Sequence, residues 1–137
     1  MPKYIPFLSS TFIKQLDAAA DYIFKELSEQ YDSSVGVEYS EALINEIKGE
    51  INLICESPSS YPPYEFQSSS PTLNDRLNQL NWRSANTNRF HLRLFFFYEK
   101  SRVYFVCLYG SGQNTDYLIL DDIDYSEIGL QNPHKFK

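Results

Sequence analysis

The basic side chains of this sequence are concentrated in one segment, and they are the residues best suited to hold an anion. All five arginines lie between residues 76 and 102, and residues 71–110 carry six basic and two acidic side chains. Residues 1–70 carry eleven carboxylates and four lysines, and the chain has a net charge of −6. Because that charge repels a polyanion, broad affinity for nucleic acid is not expected. Segment 76–102 is the one focus for an anionic ligand.

Other chemistries lack their motifs. The sequence contains no GxGxxG, GxxxxGK[ST], HExxH or GxSxG. Cys55 and Cys107 lie in apolar patterns without a CxxC, and only His91 and His134 are available as nitrogen ligands. This spacing is not that of a metal site, and both thiols are expected to be buried. We therefore expect no metal and no small-molecule cofactor.

The length and hydropathy of the chain favour one domain away from membranes. A chain of 137 residues fits one core, so 1–137 is interpreted as a single domain. The apolar runs, such as Leu94–Phe97 followed by Tyr98, are far shorter than the ~20 residues of a membrane-spanning helix. No secretory signal is visible at the N-terminus, so a cytoplasmic location is expected.

Two amphipathic helices are predicted in the first half of the chain. Ser9, Ser10 or Thr11 can cap a helix over 10–30, in which apolar residues recur at intervals of three and four. The same spacing resumes at Ala42 and predicts a second helix over 36–56, which Ser57-Pro58 ends. A short polar link predicts an antiparallel hairpin, with the carboxylates on solvated faces.

Strands are predicted on either side of this hairpin. Tyr4–Leu8 is an edge strand, because Pro6 has no N–H to donate. Residues 57–88 are mostly loop, with a short strand around Leu77–Ala85 and a long loop or insertion over 66–88. Phe90–Tyr98 and Val103–Tyr109 are the central strands of a mainly antiparallel sheet, so the fold class is α+β. Asp116–Leu120 fits either a further strand or the first turn of a helix.

The two faces of strand Phe90–Tyr98 differ. One face is apolar throughout, whereas the other carries His91 and Arg93 near the loop and then Phe95 and Phe97. The polar end is a candidate ligand surface, and the arginines are expected to gather along this ribbon. Phe95 and Phe97 are interpreted as core residues rather than as a platform for base stacking.

The order of these elements carries a family resemblance. A strand and a helical hairpin precede Ser57-Pro58 and Tyr61-Pro62, and two aromatic strands then end in Leu108-Tyr109-Gly110. The early helix has the pattern Phe12-x-x-x-Leu16-x-x-x-Ala20-x-Tyr22-Ile23, and the hairpin reads Leu94-Phe95-Phe96-Phe97-Tyr98-Glu99-Lys100 followed by Val103-Tyr104-Phe105-Val106. Over most of its length the chain resembles the RelE/ParE superfamily of toxins from bacterial type II toxin–antitoxin systems, with 66–88 longer than usual.

The resemblance implies one of two activities, and mRNA cleavage is the one expected first. The first is a metal-independent, ribosome-associated mRNA endonuclease, in which cations stabilise the charge that develops when the ribose 2′-hydroxyl attacks the adjacent phosphate. Arg93 corresponds to the strand arginine of the family, unless the hairpin register slips by one and places Leu92 there, and Tyr117 lies near its late tyrosine. The implied catalytic residues are Arg93, Tyr117 and His91, and the implied substrate-binding residues are Arg83 and Arg89.

The second implied activity is inhibition of DNA gyrase by binding, without hydrolysis. It suits the sequence after Gly110, where Ser111-Gly112-Gln113-Asn114 stands in place of the basic residues of many relatives. A third reading is a member that has lost toxicity. Structural alternatives stay open for single residues: an ion pair between Arg93 and a helix carboxylate, packing for Tyr117, and a hydrogen-bonded strand position for His91. Each reading includes a cognate antitoxin as partner, whose basic segment would meet the acidic hairpin.

Overall fold

The computed structural model describes residues 3–64, 80 and 82–110. Strand β1 (Ile5–Leu8) leads into helix α1 (Ser10–Gln30) and helix α2 (Ser33–Glu56), and a 3-10 turn follows at Pro58–Ser60. Strands β2 (Trp82–Asn86), β3 (Leu92–Glu99) and β4 (Arg102–Gly110) complete the described part of the chain. The predicted α+β class, with a helical hairpin on a sheet, is confirmed.

Both helices begin at a capping side chain. The Ser9 hydroxyl accepts a hydrogen bond from Phe12 N, and the Asp32 carboxylate accepts one from Val35 N. These contacts satisfy N–H groups that have no partner within a helix. The predicted bounds of α1 are confirmed. Helix α2 begins three residues before its predicted start, because Asp32 caps it and Gly36 continues it.

The helices approach each other closely near the link between them. Gly36 is buried, and a Cβ placed on it would lie 2.7 Å from the backbone oxygen of Phe24 and would overlap the Ser28 hydroxyl. Only a residue without a side chain fits there. This contact holds the two helices as an antiparallel pair.

The sheet has the strand order β1-β4-β3-β2. β1 runs parallel to β4, whereas β3 pairs antiparallel with both of its neighbours. Phe95 pairs with Cys107 and Phe96 with Phe105, so Val106 is an extra residue at a β-bulge in β4. The Ser9 hydroxyl donates to Val106 O at 2.7 Å, and Gln15 Oε1 accepts from Leu108 N at 2.7 Å. These two bonds tie the start of α1 to the bulge.

Both edges of the sheet are specialised. Ile5 N and Ser9 N donate to oxygens at either end of the β1–β4 pairing, so Pro6 lies on the alternate, outward side of β1 and offers no N–H there. At the other edge, Tyr64 N donates to Trp82 O and Ser84 N donates to Pro62 O. The segment 62–64 therefore covers part of β2.

The main core lies between the helices and one face of the sheet. It comprises buried residues of α1, α2 and the strands, the largest being Phe12, Leu43, Ile47, Ile54, Leu94, Phe96 and Phe105. Their burial is the main favourable contribution to folding. Cys55 and Cys107 are both buried, as predicted.

The opposite face of the sheet is buried as well. Trp82, Phe95 and Phe97 are at most 2% exposed, and the Phe97 ring packs on the rings of Trp82 and Tyr104 at centroid distances of 5.1 and 4.8 Å. The interpretation of Phe95 and Phe97 as core residues is therefore confirmed. Neither ring is available for stacking on a base.

Some predicted strand bounds differ from those of the structure, and some predicted segments lie outside the described residues. Strand β3 begins at Leu92 instead of Phe90, because the chain turns through a left-handed conformation at His91 (φ 54°). The short strand predicted within 77–85 is β2, at Trp82–Asn86. Segment Asp116–Leu120 lies outside the described residues, as does most of 66–88. None of the described helices combines the length and apolarity needed to cross a membrane.

Candidate functional site

Arg93 stands at the start of β3, on the face of the sheet away from the helices. Its Nη2 donates to Ser84 Oγ at 3.2 Å, and its guanidinium carbon lies 5.4 and 5.0 Å from the ring centroids of Tyr64 and Phe95. The Nε atom is buried and has no hydrogen-bond partner in residues 3–64, 80 and 82–110. No ion pair to a helix carboxylate is found for Arg93 among the described residues. The rings and Ser84 fix the plane of this cation.

Arg83 lies on the helix side of the same sheet. It pairs with Phe96, whereas Arg93 pairs with Asn86 three residues along the same strand pair, so the two arginines point to opposite faces. Arg83 Nη1 donates to the backbone oxygen of Tyr61 at 2.7 Å, and its guanidinium lies 6.0 Å from the ring centroid of Tyr98. Arg83 therefore links the sheet to the segment that follows α2.

Arg89 and His91 lie in the turn between β2 and β3, which we call the 87–91 turn. Both residues are exposed, and the Arg89 guanidinium lies over the rings of Tyr39 and Phe90 at 5.1 and 5.2 Å. Within the turn, Thr87 N donates to Leu92 O at 2.8 Å, and Leu92 N donates to the Thr87 hydroxyl at 2.9 Å. The turn is closed by these bonds, and its cation faces solvent beside α2.

The carboxylate of Glu46, in α2, binds the backbone of the 87–91 turn. Glu46 Oε1 accepts hydrogen bonds from two consecutive backbone groups, Asn88 N at 3.1 Å and Arg89 N at 3.0 Å. Within the described part of the chain, Glu46 Oε2 is buried without a hydrogen-bond partner. The prediction that the helix carboxylates are simply solvated is therefore wrong for Glu46. No motif marks this residue, although its position beside the apolar stripe of Leu43 and Ile47 was a usable signal.

Glu50 lies one helical turn beyond Glu46 and is half-buried. Burial raises the pKa of Glu50, and the charge of Glu46 raises it further, whereas a hydrogen bond from Tyr61 opposes the change. Burial, together with the charge and hydrogen bond of Glu50, raises the pKa of Tyr61 to about 12. Glu50 and Tyr61 therefore form a hydrogen-bonded contact between α2 and the segment that follows it, and both groups keep their protons to a higher pH than usual.

The structure thus does not gather the predicted site residues. Arg93 lies on one face of the sheet, Arg83 on the other, and Arg89 with His91 in the turn at its end. Tyr117 lies outside the described residues, so its predicted role stays a prediction. Within residues 3–64, 80 and 82–110, no three carboxylate, thiol or imidazole groups come together as metal ligands.

Comparison with known proteins shows the fold. No protein-family model matches the sequence, and no curated protein matches it. Among solved structures, the chain is similar to one from the structure entitled "Chromosomal ParDE TA system from P. aeruginosa". The two are 9% identical with a TM-score of 0.51, and the match covers 80% of this chain and 98% of that chain. The likeness at this identity is one of fold.

Proposed function

We propose that this protein is the toxin component of a toxin–antitoxin pair and that it disables its target by binding. The observation that carries the proposal is the fold: a helical hairpin on a sheet of order β1-β4-β3-β2, similar to a chain of a ParDE system. The sequence motifs that resemble RelE/ParE toxins support the same class. DNA gyrase is the target of the binding branch of that superfamily.

The placement of the cations favours binding over hydrolysis. Phosphodiester cleavage by positioning needs several donors aimed at one reacting phosphate, and a proton acceptor beside it. Arg83 and Arg93 point to opposite faces of the sheet, and Arg89 lies over Tyr39 near the start of α2. These three guanidinium groups cannot contact one phosphate. The net charge of −6 also opposes capture of an RNA strand.

RNA cleavage is the second candidate, because one arginine has suitable surroundings. The Arg93 guanidinium is held over two rings with its Nε unpaired, and it stands where β4 ends and the chain runs on toward Tyr117. A site composed of Arg93 and Tyr117, with His91 near the same end of the sheet, would fit the endonuclease branch of the superfamily.

An antitoxin is the proposed partner of either form. The helical hairpin exposes Asp17, Asp21, Glu29, Glu38 and Glu41, and few lysines stand among them. A basic segment of the antitoxin would meet this surface favourably. Co-expression with the neighbouring reading frame is expected to restore growth and to give a stable complex.

Controlled expression of the chain without a partner tests the proposal. Growth arrest with trapped gyrase–DNA complexes and intact transcripts supports the binding toxin. Arrest with cleaved transcripts, abolished by Arg93→Ala with Tyr117→Phe but unaffected by Arg102→Ala, would replace it by the endonuclease. Arg102 is the matched control because it is exposed at the start of β4. Harmless overexpression of a folded chain would overturn both.

A further inference from the structure

The 87–91 turn is held more firmly than a connection between two strands requires. Glu46 Oε1 accepts from two consecutive N–H groups of the turn, and the Arg89 guanidinium packs on Tyr39 of the same helix. The turn is thus attached to α2 by its backbone and by a side chain. Turns at loop tips are ordinarily the most mobile part of a sheet.

Stability alone does not explain this attachment, because the attachment carries an energetic cost. Glu46 Oε2 is buried without a partner among the described residues, and an unsatisfied buried carboxylate oxygen opposes folding. The neighbouring carboxylate of Glu50 adds repulsion at one turn's distance. An apolar residue at position 46 would avoid both effects but would release Asn88 N and Arg89 N. The Glu46 carboxylate therefore serves to fix the position of the 87–91 turn.

The surface that results is exposed, rigid and cationic. Asn88, Arg89 and His91 are exposed, and the rings of Tyr39 and Phe90 hold the guanidinium in place with its donors toward solvent. His91 adopts a left-handed conformation, which is uncommon for a residue with a side chain and is concentrated at functional positions. Pre-organised groups bind with a smaller loss of conformational entropy.

We propose that the 87–91 turn is the contact surface for the toxin's target, and that Glu46 is the residue that positions it. This inference rests on the proposed function. The complementary group is a carboxylate on a protein, which a guanidinium can hold by two parallel hydrogen bonds. A nucleic acid fits less well, because α2 exposes Glu38 and Glu41 in the turns that precede Glu46 and would repel neighbouring phosphates.

Amide hydrogen exchange of the purified chain tests the positioning role of Glu46. In Glu46→Ala, exchange at Asn88 and Arg89 is expected to accelerate about tenfold or more, since both amides lose a charge-assisted bond. Glu46→Gln keeps an acceptor oxygen and is expected to restore most of the protection. Glu41→Ala, an exposed position on the same helix, is the control. Unchanged protection in Glu46→Ala, or acceleration across all strands, would overturn the positioning role.

Growth arrest on expression tests the contact role. Arg89→Ala and Glu46→Ala are expected to weaken arrest about tenfold or more, measured as the inducer concentration required, whereas Arg102→Ala and Glu46→Gln stay near the wild type. Full arrest by a folded Arg89→Ala chain overturns the contact role and leaves the proposed function standing. A harmless wild-type chain overturns the proposed function and the contact role together. Binding of a 20-nucleotide single-stranded RNA that depends on Arg89 would show that the turn binds a phosphate of a nucleic acid instead of a protein carboxylate.

Discussion

Arg83 and Arg93 stand in adjacent, directly paired strands and yet point to opposite faces of the sheet. The concentration of arginines in segment 76–102 predicted one group of cations along the ribbon. The pairing of Arg83 with Phe96 and of Arg93 with Asn86 places them on alternate faces, because side chains alternate along a strand. The two cations therefore act separately: Arg83 joins the sheet to Tyr61, and Arg93 lies among aromatic rings.

Gly36→Ala is expected to destabilise the helical hairpin. The added Cβ would approach the Phe24 backbone oxygen to 2.7 Å, and the backbone must move to relieve that contact. Overpacking of this kind costs about 1–3 kcal/mol. Gly49→Ala is the matched control, since nothing lies within 4 Å of a Cβ there. It should gain up to about 1 kcal/mol of helix propensity. Urea unfolding of both variants measures the difference, and equal stability would contradict the close contact.

Phe95→Ala should cost as much stability as Phe96→Ala, although the two side chains point to opposite faces. Both are completely buried, and loss of a buried Phe costs about 3–5 kcal/mol. Leu53→Ala serves as an exposed control, with an expected change of about 0.5 kcal/mol or less. The free energy of unfolding from denaturant titration checks the prediction. A small effect for Phe95→Ala alone would mean that this face is open.

Ser9→Ala is expected to lower the free energy of unfolding by about 2 kcal/mol or more. The hydroxyl caps α1 through Phe12 N and also donates to Val106 O at the bulge of β4. Loss of both bonds leaves a buried donor and a buried acceptor unpaired. Ser33→Ala, an exposed position at the start of α2, should change stability by about 0.5 kcal/mol or less. Thermal unfolding of the two variants compares them, and equal melting temperatures would exclude the double role.

Glu50→Gln is expected to stabilise the protein at neutral pH. Burial raises the pKa of Glu50, so the folded chain holds this proton at a higher pH than the unfolded chain does. The free energy of unfolding therefore falls as the pH rises from the ordinary glutamate value through the raised one. Gln removes this dependence and keeps an acceptor for Tyr61. The advantage of Glu50→Gln over the wild type should be present at pH 7 and shrink toward pH 4. Glu41→Gln, at an exposed position of the same helix, is the control.

Tyr61→Phe should change the alkaline limb of the stability profile. The pKa of Tyr61 is raised to about 12, and an unfolded chain ionises this phenol near pH ~10, so wild-type stability decreases between these values as the unfolded state loses the proton first. The variant has no phenol at this position and lacks that part of the decrease. Tyr31→Phe, at 68% exposure, is the control. Denaturant midpoints at pH 9 and 11 provide the measurement. Equal losses of stability in the wild type and in both variants between these pH values would contradict the prediction.

Local patterns predicted the elements well, because each depends on neighbours in the sequence. The spacing of apolar residues and the cap at Ser9 gave the bounds of α1, and the aromatic runs gave β3 and β4 within two residues. The start of α2 was missed because Asp32, outside the apolar pattern, is the cap.

The site was less predictable, because it depends on register and on contacts distant in the sequence. The faces of Arg83 and Arg93 follow from the strand pairing that the 87–91 turn imposes. Glu46 contacts residues more than forty positions away in the sequence. Its place beside the apolar stripe of Leu43 and Ile47 indicates burial, but no local pattern indicates these partners.

The borders of the sheet have a consequence for self-association. Pro6 removes a donor from the outer side of β1, and the segment 62–64 already uses donors and acceptors along β2. A second copy of the chain would find no continuous row of free backbone groups on either border of the described sheet. Fibril growth by strand addition is thereby hindered, although the strands are rich in aromatic residues. Encounters between copies must rely on side chains.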